Sequence, residues 1–187
     1  MYYAQNRIYE DVAEQTLNLL MVSGSGIGAN REWLVKQALK GDTTHILFID
    51  EDMTFDPDTL HVLMKNDLPI VGCNYKMRSP RTGFTALAKD GSKRIVTTEE
   101  STGLEECYYS GFGFCVVKRE VFEKAAKPWF LLGYNTEAEK YTTEDCGFAR
   151  RLREVEIPWH IDHDASKLVS HIGNYDYNYK EKDYVSV

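Results

Sequence analysis

The sequence predicts an α/β fold, one domain built on a mostly parallel central sheet. Three observations predict it. Helix-like and strand-like segments alternate as helix, helix, strand, helix, strand over the first 75 residues, the signature of crossover connections. HILFID (45–50) and LPIVGCNY (68–75) are short, continuous apolar runs, as in strands covered on both faces. A chain of 187 residues with 43% hydrophobic content suits a single core, burying roughly 70% of its extended surface at this size.

Each element has a local reason. Residues 9–20 place Tyr9, Val12, Ala13, Leu17 and Leu20 at helical spacing. The glycine-rich GSGIG (24–28) then turns the chain, and Asn30 is the expected N-cap of REWLVKQALK, with Gly41 as its stop. After HILFID, Asp56 caps the next helix and Pro57 takes its first position, with Leu60, Leu63 and Met64 facing inward. Beyond LPIVGCNY the pattern is richer in strands: RIVTT (94–98), ECYYS (106–110) and FCVV (114–117). Two helices are expected, REVFEKAA (119–126) and EDCGFARRLREV (144–155), the latter with Thr143 as N-cap. Between the two halves, Lys76 to Arg94 holds six basic residues against one acid, Asp90, and reads as a mobile basic surface loop. The division is a first half over 1–75, this loop over 76–94, and a second half over 95–175, which the resemblance described below makes the donor and acceptor halves.

Composition excludes several classes. With 22 Lys+Arg against 29 Asp+Glu the net charge is −7, which argues against a polybasic nucleic-acid coat while leaving room for a local basic site. No apolar run reaches the length of a membrane span, and the N-terminal residues lack a signal-peptide pattern. The expected compartment is cytoplasmic. Cys73, Cys107, Cys115 and Cys146 show no metal-site spacing and read as reduced thiols.

Chemistry concentrates in a few places. Asp50 and Asp52 of IDEDM directly follow a buried strand, at the carboxyl end where α/β ligand sites form. Two like charges so close suit a hard divalent cation, or form a solvated acidic turn before the Asp56 cap. Glu144 and Asp145 open a helix, where acids stabilise the macrodipole; the alternative is a general base. His160, His163 and His171 come late, with spacing unlike a helical zinc motif. The glycines of GFGF, Gly111 and Gly113, allow close approach of a ligand or mark a bulge.

Taken together, THILFIDEDMTFDPDTL, IVGCNYKMR, GFGFCVVKREVFEK, PWF, TEDCGFARRLRE and VSHIG resemble the GT-A glycosyltransferases, and in particular small viral or bacterial enzymes similar to glycosyltransferase family two. The resemblance spans about residues 6–175. It implies a Rossmann-like nucleotide-diphospho-sugar transferase domain that moves a hexose from a nucleotide diphosphate sugar, typically a UDP-sugar, to an acceptor hydroxyl with inversion. Implied for the metal, Mn²⁺ or Mg²⁺, are Asp52, Asp50 and His171, with Asp50 also a donor-ribose contact. Asp145 becomes the base and Glu144 its acceptor-site neighbour, while Gly111 and Gly113 flank donor and acceptor. Arg31 becomes a contact to the donor phosphate, while Lys76, Arg78 and Arg81 close over the diphosphate or grip an anionic acceptor. The implied acceptors are a glycan or a hydroxymethylated base of viral DNA. The alternatives are a nucleotidyltransferase of the same fold, a non-catalytic nucleotide-sugar or glycan-binding module, and, more remotely, a zinc hydrolase using the three histidines.

Overall fold

The computed structural model describes residues 17–24, 26–78, 83–136, 139–173 and 176–180. In chain order its elements are α1 (Ile27–Ala38), β1 (His45–Ile49), β2 (Met53–Phe55), α2 (Thr59–Met64), β3 (Ile70–Gly72), β4 (Leu87–Ala88), β5 (Leu104–Tyr109) and β6 (Phe114–Lys118). They continue as α3 (Arg119–Lys124), β7 (Gly133–Asn135), β8 (Lys140–Thr142), α4 (Glu144–Glu154), β9 (Trp159–Asp162), α5 (His163–Ser166), β10 (Val169–Ile172) and β11 (Asp176–Tyr177).

The main sheet has six strands in the order β1-β6-β3-β9-β5-β4, beside a three-stranded sheet β11-β10-β2 and a β7-β8 hairpin. The α/β class is as expected, but the sheet is not mostly parallel. Among the described residues only β3 and β9 pair in parallel; β1–β6, β3–β6, β5–β9 and β4–β5 are antiparallel. The apolar runs report burial on both faces, and β3 and β6 are indeed buried, but two-sided burial does not fix strand direction. Because β6 lies antiparallel between β1 and β3, those two strands run the same way. Their carboxyl ends therefore open on one edge.

Alternation along the strands feeds two cores. Phe48, Ile70, Cys115 and Val117 pack with α1, α3 and α4 residues such as Val35, Phe122, Phe148 and Leu152. Val71, Phe114 and Val116 pack on the other side with Leu60 and Leu63 of α2 and Ala165 of α5. Phe112 centres the first core, with Phe48, Phe130, Phe148 and Trp159 rings 4.9–5.3 Å away by centroid.

Several boundaries differ from the sequence reading. The expected 9–20 helix falls outside the described residues up to 16, and residues 17–20 are not helical. Helix α1 starts earlier than the Asn30 cap implies, with Gly26 at its N-cap. Its Gly28 packs where a Cβ would stand 2.6 Å from the Phe130 carbonyl oxygen, so the third glycine of GSGIG serves close helix packing. Asp58, not Asp56, is the N-cap of α2; Asp56 accepts from the Asp58 N–H at 2.9 Å in the turn before it. Thr143 does cap α4 by position, without a side-chain bond. RIVTT forms no strand, although Arg94 bridges Leu87 and Ile95 and Thr97 are buried.

The basic segment is tied down along its described part. Lys76 is buried, with its ammonium over the Phe84 ring. Lys89 pairs with Glu106, and Arg94 donates to the Thr85 carbonyl while lying over Tyr109. Arg81 lies outside the described residues. Among the described residues, no helix is long and apolar enough to cross a membrane.

Candidate active site

The carboxyl ends of β1 and β3, the start of β6, the first turn of α4 and the β2–β10 ladder converge on a group of acids. Two sub-sites meet there, one built on Asp52 and His171 and the other on Arg31.

The β2–β10 register places His171 opposite Met53, and the Ile172 N–H donates to the Asp52 carbonyl at 2.7 Å. This ladder brings His171 Nε2 to 3.3 Å from Asp52 Oδ2. The other ring nitrogen, Nδ1, is 3.1 Å from the Lys76 carbonyl oxygen. A carbonyl only accepts, so Nδ1 carries the proton. A neutral ring then turns its Nε2 lone pair toward a carboxylate. That arrangement is repulsive unless one positive charge, a second ring proton or a cation, lies between the two groups.

The pair passes a test for a divalent cation. A carboxylate oxygen and an imidazole nitrogen at this separation suit neighbouring positions on one ion, and the carbonyl bond orients the ring as second partners of ligating histidines do. Among the described residues no group of three or more His, Cys, Asp or Glu is placed to hold a metal. A two-ligand protein site leaves positions for phosphate oxygens and water, the way Mg²⁺ commonly binds with nucleotide substrates. Arg78 supplies positive charge to the same oxygen, its Nη2 lying 2.8 Å from Asp52 Oδ2.

Asp50 does not join that pair. Arg31, only 5% exposed, holds it through Nη2 at 3.0 and 3.1 Å, and directs Nη1 to Glu144 at 2.5 Å and Asp145 at 3.0 Å. One guanidinium thus gathers three carboxylates, one just after β1 and two in α4, and it also lies over the Phe112 ring at 5.0 Å. Burial works against its charge, but Asp145, Asp50 and Glu144 outweigh that and hold Arg31 above its ordinary value. The expected contact of Arg31 with donor phosphate is therefore replaced by an internal role. A guanidinium fully engaged by three acids has no open face for diphosphate. Lys76 is likewise buried, and of the expected diphosphate contacts only Arg78, with half its side chain in solvent, lies at the mouth of the site.

Asp145 behaves unlike an ordinary surface aspartate. Burial, reinforced by Glu144 and Asp50 and opposed by Arg31, pushes its carboxyl up to about 7. Sequence alone gave no reason for such a shift. Its Oδ1 is taken by Arg31, and its Oδ2 accepts no hydrogen bond among the described residues.

The glycines of GFGF serve a different partner from the one expected. A Cβ on Gly111 would collide with the Tyr75 hydroxyl, and one on Gly113 would stand 2.6 Å from it. The room they leave is filled by Tyr75, a buried residue the motif reading overlooked; the required clearance beside both glycines was its only signal. Tyr75 also sets its ring edge against His171 at 5.3 Å. It is anchored by its neighbour Asn74, which donates to the Ile95 carbonyl and Thr97 and accepts from the Ala86 N–H.

The other histidines are not part of this site. His163 is buried between Thr97 (2.9 Å) and Glu105 (3.0 Å), and His160 sits on β9 with burial lowering its affinity for a proton. A three-histidine zinc centre is not formed.

No protein-family model matches the chain, and no curated protein matches it. Among solved structures it is similar to the viral protein A197 from STIV, at 20% identity and a TM-score of 0.59, over 91% of this chain and 79% of that one. At that identity the likeness is one of fold. The site must be interpreted from its own geometry.

Proposed function

We propose that the chain is a GT-A-type glycosyltransferase that moves a hexose from a nucleotide diphosphate sugar, a UDP-sugar in the simplest case, to an acceptor hydroxyl with inversion. The observation that carries this reading is the Asp52–His171 pair. It leaves a place for one positive charge at the carboxyl edge of the sheet, beside a carboxylate, Asp145, whose pKa suits a base near neutrality.

In this reading Asp52 and His171 would hold Mn²⁺ or Mg²⁺, which would neutralise charge on the departing diphosphate. Arg78 moves from Asp52 to the phosphates, which a guanidinium can grip by two hydrogen bonds. Asp145 Oδ2 takes the acceptor proton as the acceptor oxygen bonds to the anomeric carbon. The bond from that carbon to the diphosphate oxygen breaks, and its electron pair leaves with the nucleoside diphosphate. Arg31 fixes Oδ1 and so aims Oδ2. Tyr75 holds the Gly113 backbone and the His171 ring. The acceptor classes suggested by the resemblance are a glycan or a hydroxymethylated base of viral DNA.

Release of nucleoside diphosphate from a panel of nucleotide sugars, with and without Mn²⁺, tests the proposal on the wild type, Asp52→Ala and Asp145→Asn. Metal-dependent release, lost in Asp52→Ala, is expected. Undiminished transfer by Asp52→Ala would overturn the metal assignment, and wild-type transfer by Asp145→Asn would overturn the base. Nucleotide-sugar binding without turnover under any condition would favour a binding module.

A further inference from the structure

We infer that the β7–β8 hairpin is an acceptor subsite for a neutral oligosaccharide, engaging sugar rings beyond the one that reacts. The acceptor role rests on the transfer reading above; the glycan contact stands on the hairpin itself.

Tyr134 and Tyr141 face each other across the two-stranded ladder. Their ring centroids are 5.1 Å apart at an interplanar angle of 69°. Both are displayed to solvent, Tyr134 at 51% and Tyr141 at 83% exposure. An aromatic pair ordinarily contributes its large apolar area to a core; here it is turned outward on a hairpin, the smallest sheet unit. The apolar faces of sugar rings stack on such surfaces, and the two phenol groups supply hydrogen bonds to sugar hydroxyls.

The platform is held at a fixed position relative to the candidate base. Gly133 of β7 lies so close beneath Arg150 of α4 that a Cβ would stand 2.5 Å from the Nη2 atom, and Gly147 of α4 is pressed against the Leu131 carbonyl. Helix α4 carries Asp145 in its first turn. Tyr141 precedes Asp145 by four residues, so their Cα atoms are at most about 14 Å apart. An acceptor of a few rings reaches across any span up to that limit.

Charge selects the class of polymer. Between the two tyrosines the sequence places Glu137 and Glu139 against Lys140, and Glu144 and Asp145 follow directly. Arg150, set against Gly133, offsets the second glutamate, and Glu144 and Asp145 are already paired with Arg31, so the hairpin carries no net positive charge on a chain of net charge −7. Such a surface offers no net attraction to the phosphates of DNA and is indifferent to a neutral glycan. Of the basic residues at the acid cluster, Arg31 is occupied by carboxylates and Arg78 is the one the transfer reading assigns to the donor phosphates, so neither offers a second track for a polyanion.

The test is titration of the full chain by calorimetry with mono- to tetrasaccharides of the cello, malto and chito series, and with a single-stranded oligonucleotide containing hydroxymethylcytosine. The proteins are the wild type, Tyr134→Ala/Tyr141→Ala and Tyr134→Phe/Tyr141→Phe. Expected is binding of at least one neutral series that strengthens with length, falls about tenfold or more in the double alanine variant, and is kept largely by the phenylalanine variant. Retained binding in the phenylalanine protein separates loss of the platform from loss of the fold. No neutral series binding the wild type at millimolar concentration overturns the inference. So does equal affinity in the alanine variant, or an oligonucleotide whose binding depends on the tyrosines. A parallel titration with UDP and Mn²⁺ isolates the transfer reading: if UDP fails to bind while a tetrasaccharide binds through the tyrosines, the hairpin remains a glycan site and the transferase proposal falls.

Discussion

The Tyr75 hydroxyl accepts a hydrogen bond from the Gly113 N–H at 2.9 Å, and the Gly113 carbonyl in turn accepts from the Asp50 N–H at 3.1 Å. A buried phenol therefore supports the backbone on which the acidic turn begins. Burial, with the nearby charges of Asp50 and Asp145, keeps its proton in place far above neutral pH, so this anchor does not change across the working range.

Gly111→Ala is expected to destabilise the protein by about 1–3 kcal/mol, the usual cost of overpacking, because its methyl meets Tyr75 rather than an open ligand cleft. Adding Tyr75→Phe removes the atom nearest the new methyl. Urea unfolding should then recover part of the loss in the double variant relative to the sum of the single ones. Strict additivity would show that the clash is not what the substitution costs.

Arg31→Met is expected to be among the most damaging single changes, at roughly 3–5 kcal/mol, since removing one partner of a buried ion cluster leaves the others uncompensated. Three carboxylates would then share a pocket without a counter-charge. The defect should shrink as pH falls and the acids take up protons. Arg31→Lys should rescue little, because an ammonium cannot serve Asp50 through two bonds while reaching α4. Denaturant midpoints at pH 5 and pH 8 check both points; a pH-independent defect would mean that packing on Phe112, not charge, is what Arg31 provides.

Much of this site was legible in residues whose chemistry is local. The IDEDM turn after β1 and Glu144–Asp145 at the start of α4 each stand at the edge of an element whose type the sequence signalled, and His171 was singled out by residue type and by the VSHIG resemblance. What was not legible depends on pairing between distant segments. The direction of β6, and with it the antiparallel sheet, is invisible in a run of apolar residues. The β2–β10 register that joins Asp52 to His171 links segments more than a hundred residues apart. Arg31 looked like a phosphate contact because its three acidic partners come from the turn after β1 and from α4, and only the fold shows that they are already satisfied.

Asp145 gives a pH signature with a definite sign. Its folded value of about 7 lies above the unfolded value near 4, so the native state binds the extra proton. Its contribution to stability is complete below the unfolded value and is lost as pH rises toward 7. Asp145→Asn should flatten the decline of stability between pH 4 and pH 7. Transfer by the wild type should show an acidic limb near pH 7, because only the ionised carboxylate takes a proton. A limb near pH 4, with unchanged stability slopes in the variant, would remove Asp145 as the titrating base.

Arg78 and a divalent ion compete for the same Asp52 oxygen, which sets two effects of opposite sign. A cation between Asp52 and His171 would stand beside a guanidinium now 2.8 Å from Oδ2, so the arginine must leave before the ion is fully held. Its side chain is 53% exposed and can swing without unpacking the core. Once a diphosphate is bound, the same guanidinium gains an anionic partner. Arg78→Gln should therefore bind Mn²⁺ several-fold more tightly in the absence of nucleotide, read from the free-ion signal in electron paramagnetic resonance. With Mn²⁺ saturating, the same variant should bind UDP about tenfold more weakly, the scale of one lost charge-assisted hydrogen bond. Loss of both affinities would indicate that Arg78 supports the fold of the site, and unchanged Mn²⁺ binding would show that its contact with Asp52 does not exclude the ion.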